Sequence, residues 1–384
     1  MFDDFQDIED MYEGEGSATV GQASNEALLP ARESDVFIGH ENVEQSILPL
    51  ISNNTMPHAI ILAGQKGIGK ATFAFRLSRA LFKHGVMDAS QDSLFGDTPQ
   101  ALETLDVENS HPVFSKVAAG GHPDLLTIER SIDAKKGTPK NNIDVNTARK
   151  VAPFLRMTSA DGGWRVVIID DADTMNRNAQ NAILKILEEP PKNALLMLVT
   201  HRLGAMIPTI RSRCRVFNFK PLMAQDFKAL TQGRIGTELD NNDLDLLNFL
   251  SQGSIGNTLN IIDAGTLDTA KIVLDTLEKH PNFNWVDIHH LSENVARVGQ
   301  EQHFKILALT LNRVFESLLF SKIKGQNDNL LPPINHNLYN ALMSRYSIED
   351  LMRICDDLRN HFKQVEFSNL DKKQATLAAF NLIR

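Results

Sequence analysis

The segment Gly64-Gln65-Lys66-Gly67-Ile68-Gly69-Lys70-Ala71 constrains this chain more than any other. Glycines this dense weaken the interior of a helix or strand and suit backbone turns that other residues resist. Before the segment, residues 58–63 form a short apolar run that predicts a buried strand. After it, residues 70–82 carry Phe73, Ala74, Leu77, Ala80 and Leu81 at helical spacing. Strand, glycine turn and helix in that order are the setting of a phosphate-binding loop. Gly64, Gly67 and Gly69 let successive N–H groups curl toward anionic oxygens, the helix N-terminus adds a favourable dipole, and Lys70 supplies positive charge. The simpler alternative is a glycine-rich turn with an exposed lysine.

The loop departs from its pattern at the last position. Where a Ser or Thr hydroxyl would ligate Mg²⁺, Ala71 offers a methyl, and Thr72 is one residue out of register. A second apolar strand is predicted at 166–169, running into Asp170-Asp171-Ala172-Asp173. A carboxylate at the end of a buried strand can hold metal-bound water, which suits Asp170, and its neighbour Asp171 can orient an attacking water. Asp171 is one methylene shorter than Glu, and a base displaced by about 1 Å costs on the order of a hundredfold in rate. Asp173 could instead cap the next helix. That helix carries Ala179, Ala182, Ile183, Ile186 and Leu187 and should end at Pro190-Pro191. A third strand is predicted at 195–199, and a helix over 143–155 that Pro153 should bend or end. Uniformly apolar strands alternating with helices imply a parallel sheet covered on both faces, closing near Phe219.

The net charge of -9 argues against a generally cationic nucleic-acid surface, but the charge is unevenly placed. Residues 1–31 hold eight acids and no Lys or Arg, and residues 84–115 hold six acids and none. The rest of the chain is therefore +5. Residues 1–31 read as a disordered acidic tail, and 84–115 as a weakly structured insertion. The only cysteines, Cys214 and Cys355, are too few for a disulfide framework or a thiolate zinc site, so no zinc is expected. An acidic start and the lack of a long apolar run predict a cytoplasmic protein without a membrane partner.

Beyond Pro221 the periodicity is helical throughout. A small helical segment is predicted over 221–266, then longer amphipathic helices over 267–384. One covers 303–322, and another starts at Ser347, where Ser-Ile-Glu-Asp offers an N-cap and an acid three residues on.

Taken together, GQKGIGK, VVIIDDAD, NAILKILEEPPKNALLMLVT and IPTIRSRCRVFNF resemble the AAA+ clamp-loader subunits of bacterial DNA polymerase III. The LEEPP segment and the Ser212-Arg213-Cys214 triplet carry more of that resemblance than the loop does. It is dense over about 36–219 and diffuse afterwards. It implies an α/β AAA+ P-loop core over 32–220, with 84–115 where the family has a zinc module. A helical lid would cover 221–266 and an oligomerising helical collar 267–384. It also implies an ATP-driven hetero-pentamer with other clamp-loader subunits, acting on a sliding clamp and primed DNA, with ATP and Mg²⁺ as cofactors.

By position, the resemblance makes Lys70 the phosphate lysine, Asp170 the Mg²⁺-side carboxylate and Asp171 a weak water-orienting group. Thr200 matches the polar sensor near the γ-phosphate. Arg213 matches the arginine finger acting on a neighbour's ATP, where such a guanidinium is worth about 10³–10⁵ in rate. An ordinary structural role in a cluster with Arg211 and Arg215 is the alternative. Cys214 reads as a small buried hydrophobe. The second sensor has Gly253-Ser254-Ile255-Gly256, and Gly256 stands where hydrolysing subunits carry arginine.

Ala71, Gly256 and the missing cysteines all favour a scaffold and finger donor with weak or no hydrolysis of its own. The competing expectation is an active ATPase, either a clamp-loader motor subunit or a helicase loader. A GTPase lacks its Asn-Lys-x-Asp signature here. Arg177, Lys185 and Lys192 are candidates for DNA contact.

Overall fold

The computed structural model describes residues 30–85, 102–132, 140–160, 163–235, 239–324, 333–334 and 336–384. The acidic tail, apart from its last residues, lies outside them. The described chain falls into two compact units divided between Leu222 and Met223.

The first unit is built on a fully parallel five-stranded sheet ordered β2-β3-β4-β1-β5. In chain order it comprises α1 (Glu41–Ser52), β1 (Ala59–Ala63), α2 (Lys70–His84), α3 (Pro112–Ala118), β2 (Leu125–Ile128), α4 (Val145–Ala148), α5 (Val151–Arg156), β3 (Arg165–Ile169), α6 (Arg177–Glu188), β4 (Ala194–Thr200), α7 (Pro208–Arg211) and β5 (Arg215–Asn218). This is a parallel α/β core, with the glycine loop leaving β1 in the interior of the sheet.

Every residue of β1, β3 and β4 is buried, because side chains alternate between two apolar layers. Ile60, Leu62, Val166, Ile168, Met197 and Val199 pack with α1 and α2 on one face. Ile61, Val167, Ile169, Leu196 and Leu198 pack with α4 to α7 on the other.

The predicted strands and glycine-flanked helix occur within a residue or two of their expected ends. Strands β2 and β5 were not predicted, for each is only four residues long and neither is buried throughout. The expected helix over 143–155 is two helices, and the break falls at Arg149 and Lys150, ahead of Pro153. Pro153 sits in the first turn of α5, where its missing N–H removes no helical bond.

The acidic stretch 84–115 divides differently from expectation. Residues 86–101 lie outside the described part, but 102–115 is integral to the core rather than weakly structured. Leu105 is fully buried among α1 and α2 side chains. Arg76 pairs with Glu44 and Asp106, and Leu105 N–H donates to Glu44 Oε1 at 2.8 Å.

The second unit is all helical among its described residues. It contains α8 (Ala224–Ile235), α9 (Asn241–Ser251), α10 (Ile255–Asp263), α11 (Leu267–Leu277), α12 (Trp285–Val295), α13 (Glu301–Lys324), α14 (His336–Arg345), α15 (Ile348–Ser368) and α16 (Lys372–Leu382). Residues 223–266 of the expected lid and the collar expected from 267 belong to this one unit, with α9 touching α13. Ser347 and Asp350 form the reciprocal capping pair that opens α15. No described helix is long and apolar enough to cross a membrane.

Candidate functional site

The carboxyl edge of the sheet gathers the functional candidates, as parallel sheets do, because the loops leaving adjacent strands emerge together there. In register, Ala63 lies between Thr200 of β4 and Asn218 of β5. The glycine loop, the Asp170–Asp173 turn and His201 therefore share one edge.

Backbone geometry accounts for the glycines. A Cβ on Gly64 would lie 2.5 Å from the Phe219 carbonyl oxygen, and Gly69 takes φ 104° as the residue before α2. His40 braces the loop from beneath, its Nε2 2.8 Å from the Ile68 carbonyl and its ring edge-on to Phe219. A phosphate fits this setting: the N-terminus of a fifteen-residue helix, a glycine cradle and a buried lysine. A complete Mg²⁺ site does not fit as well. Ala71 presents no hydroxyl, and among the described residues no group of three or more His, Cys, Asp or Glu side chains could hold a metal ion.

Lys70 is 3% exposed and turned onto its own loop. Its ammonium donates to the carbonyls of Gly64 at 2.5 Å and Gln65 at 2.6 Å, and lies 2.9 Å from His201 Nδ1. His201 Nε2 lies 2.6 Å from Asp171 Oδ1, and Arg130 Nε lies 3.0 Å from Asp171 Oδ2. Lys70, His201, Asp171 and Arg130 thus form one chain of contacts across the site.

The two neighbouring aspartates titrate in opposite directions. Burial, then the charge of Asp171, pushes Asp170 up to about 6. Burial would raise Asp171 as well, but the hydrogen bond from His201 and the charges of Arg130 and Lys66 bring it down to about 2. Asp171 also has a left-handed backbone, φ 54°, unusual for a residue with a side chain. Both of its carboxylate oxygens are engaged, which leaves it poorly placed to take a proton from water.

Asp173 does not cap α6; Asn176 does, through the Ala179 N–H at 2.9 Å. Asp173 instead joins the ends of β3 and β4. Its Oδ1 accepts from the Thr200 hydroxyl at 3.2 Å and the His201 N–H at 3.0 Å, and its Oδ2 accepts from Arg202. Thr200 is fully buried, and its hydroxyl is directed to Asp173 rather than into the loop.

Arg213 lies two residues beyond α7, in the exposed turn that leads into β5. Its guanidinium donates to the Thr209 carbonyl at 3.0 Å and pairs with Glu188 of the LEEPP segment at 3.0 Å. Gln180 anchors this region to α6, receiving the Ile207 N–H and donating to Met175 and Ala205 carbonyls. Arg211 and Arg215 are exposed nearby, as are Arg177, Lys185 and Lys192. Burial pushes the Cys214 thiol up to about 12, consistent with packing rather than nucleophilic chemistry. In the second unit, Ser254 caps α10 through the Asn257 N–H, and Gly256 is the second residue of that helix.

Sequence reasoning missed His40, Arg130 and His201. His201 carried one signal, its position directly after an apolar strand; for Arg130 and His40 the sequence offered none.

Residues 39–223 match the family model described as DNA polymerase III, delta subunit. Over 157 residues the chain is 36% identical to DNA polymerase III subunit delta-prime of Pseudomonas aeruginosa, covering 41% of each. It is 25% identical over 258 residues to a probable replication factor C subunit 5 of Caenorhabditis elegans, covering 66% of this chain and 59% of that one. A gamma-subunit-related protein of DNA polymerase III from Thermotoga maritima aligns structurally over 88% of this chain and 98% of its own, at 15% identity and a TM-score of 0.39. The chain spans less than two thirds of the length of the curated relatives it matches. Over residues 39–223 it is similar to DNA polymerase III subunits of the delta and delta-prime type.

Proposed function

We propose that this chain is a delta-prime-like subunit of a DNA polymerase III clamp loader, a scaffold and arginine-finger donor with weak or absent ATP hydrolysis of its own. The observation that carries the reading is an asymmetry on the AAA+ domain. The groups that would turn over ATP in this chain, Lys70 and Asp171, are engaged with His201 and Arg130 in the interior of the site, while Arg213 is held by Glu188 on an exposed edge. Ala71 and Gly256 support the same reading, since neither offers the polar group a hydrolysing site would use there.

In this role Arg213 acts on ATP held by an adjoining subunit, where its charge offsets negative charge growing on the transferred phosphoryl. Thr200 serves as a structural tie beside that machinery. If nucleotide binds here, Gly64, Gly67, Gly69 and Lys70 would hold its phosphates and Asp170 would face any Mg²⁺ that accompanies it. The helices from Leu267 onward would supply the collar of a cytoplasmic hetero-pentamer that places a sliding clamp on primed DNA.

Two measurements test this. The purified chain should show negligible ATP turnover that Lys70→Ala barely changes. In the assembled complex, Arg213→Ala should leave assembly intact and slow DNA-stimulated hydrolysis by about 10³-fold or more at the site it serves. Robust turnover by the isolated chain, abolished by Lys70→Ala, would refute the scaffold role. Full activity of the complex with Arg213→Ala would refute the finger.

A further inference from the structure

We infer that His201 is an affinity-determining residue of the glycine loop: it holds Lys70 away from phosphate, and its removal converts the loop into a competent nucleoside triphosphate site. This deepens the reading of a non-hydrolysing subunit and rests on it only for the identity of the ligand. An ammonium has three N–H bonds and no acceptor, so it can only donate. Acceptors at 2.5, 2.6 and 2.9 Å stand around Lys70 Nζ, as many as its N–H bonds. A phosphate oxygen must displace at least one of them.

The three acceptors are not equally easy to displace. Two are carbonyls of the loop itself, turned toward the lysine as the loop closes on it. The third is a side chain from the far side of the site, 131 residues away in sequence. Because Lys70 donates to Nδ1, the other ring nitrogen carries the hydrogen given to Asp171 Oδ1 at 2.6 Å. Asp171 is fixed in turn by Arg130 at 3.0 Å, and the His201 backbone N–H is fixed by buried Asp173 at 3.0 Å. His201 is thus pinned at its main chain and at one ring nitrogen, with the other aimed at the phosphate lysine. The same contacts occupy the carboxylate that would orient water. One residue therefore weakens both binding and hydrolysis, so departures at Ala71 and Gly256 are not the sole cause.

The loop backbone suits phosphate. Gly64 and Gly69 have the backbone conformations that a cradle needs, and α2 begins directly after the loop.

The test uses the full-length chain and ATP, with affinity read by equilibrium dialysis with and without Mg²⁺. His201→Ala removes the acceptor and the bulk, whereas His201→Phe removes the acceptor and keeps a ring. A hydrogen bond to a charged group is worth enough that both variants should bind ATP about tenfold to a hundredfold more tightly than the wild type. Adding Lys70→Ala to either variant should abolish the gain. Unchanged affinity in both folded variants overturns the inference. So does a gain confined to His201→Ala, which would assign the effect to bulk, or a gain that survives Lys70→Ala. If one variant does not fold, the other decides between gain and no gain. Because Arg213 is assayed separately in the assembled complex, failure here leaves the finger-donor reading standing, and failure there leaves this one standing.

Discussion

Asp170→Asn should stabilise the first unit at neutral pH and do little in acid. The Asp170 carboxyl is lifted from 3.8 to about 6, by burial first and the Asp171 charge second. A group whose folded-state value is raised binds its proton more tightly when folded. Its protonated form therefore contributes fully below about pH 3.8, and that contribution is lost as pH rises through about 6. Converting the displacement at 1.36 kcal/mol for each tenfold change gives roughly 3 kcal/mol of folded-state cost at pH 7.

Asparagine is nearly isosteric, stays neutral and keeps an oxygen for the Asp171 N–H, now 3.0 Å from Asp170 Oδ1. Urea unfolding of both proteins between pH 4 and 7.5 measures the difference. The variant's advantage should be near zero at the acid end and approach about 3 kcal/mol at the neutral end. An equal gain at every pH, or none at pH 7, would refute the electrostatic account of this site. Asp171 acts in a separate window. Held down to about 2, it contributes stability that is present above 3.8 and lost as pH falls through about 2. Keeping an ionisable group where it costs stability is the pattern of a functional site rather than of packing.

Two further substitutions probe what positions the site. Leu105→Ala should cost about 2–5 kcal/mol in urea unfolding, because Leu105 is fully buried; a cost under about 0.5 kcal/mol would mean the acidic stretch is peripheral after all. Asp124→Ala strips Arg165 of its buried partner at 3.1 Å and should cost about 3–5 kcal/mol by the same measurement; a loss under about 1 kcal/mol would mean that the Phe154 and Thr158 carbonyls satisfy Arg165 alone.

The sequence alone determined the local chemistry of this protein. Glycines at 64, 67 and 69 between an apolar strand and an amphipathic helix specify a phosphate-type loop, since both the φ values and the burial pattern are local properties. Uniformly apolar strands likewise specify a sheet covered on both faces, and the Ser347 cap is readable from four consecutive residues. Strands β2 and β5 escaped notice because four partly exposed residues carry little periodic signal; pairing with β3 and β1 makes them strands.

What only the tertiary structure decided is which side chains face one another across the edge of the sheet. His201 lies 131 residues from Lys70 and 30 from Asp171, and no periodicity links them. Parallel register brings the ends of β1, β3 and β4 together, so the partners of Lys70 and Asp171 were set by strand order. The same geometry turned Thr200 and Asp173 toward each other and placed Leu105 of an acidic segment within the core. Residue types announce what a site can do; distances between elements remote in sequence decide which of those groups are already engaged.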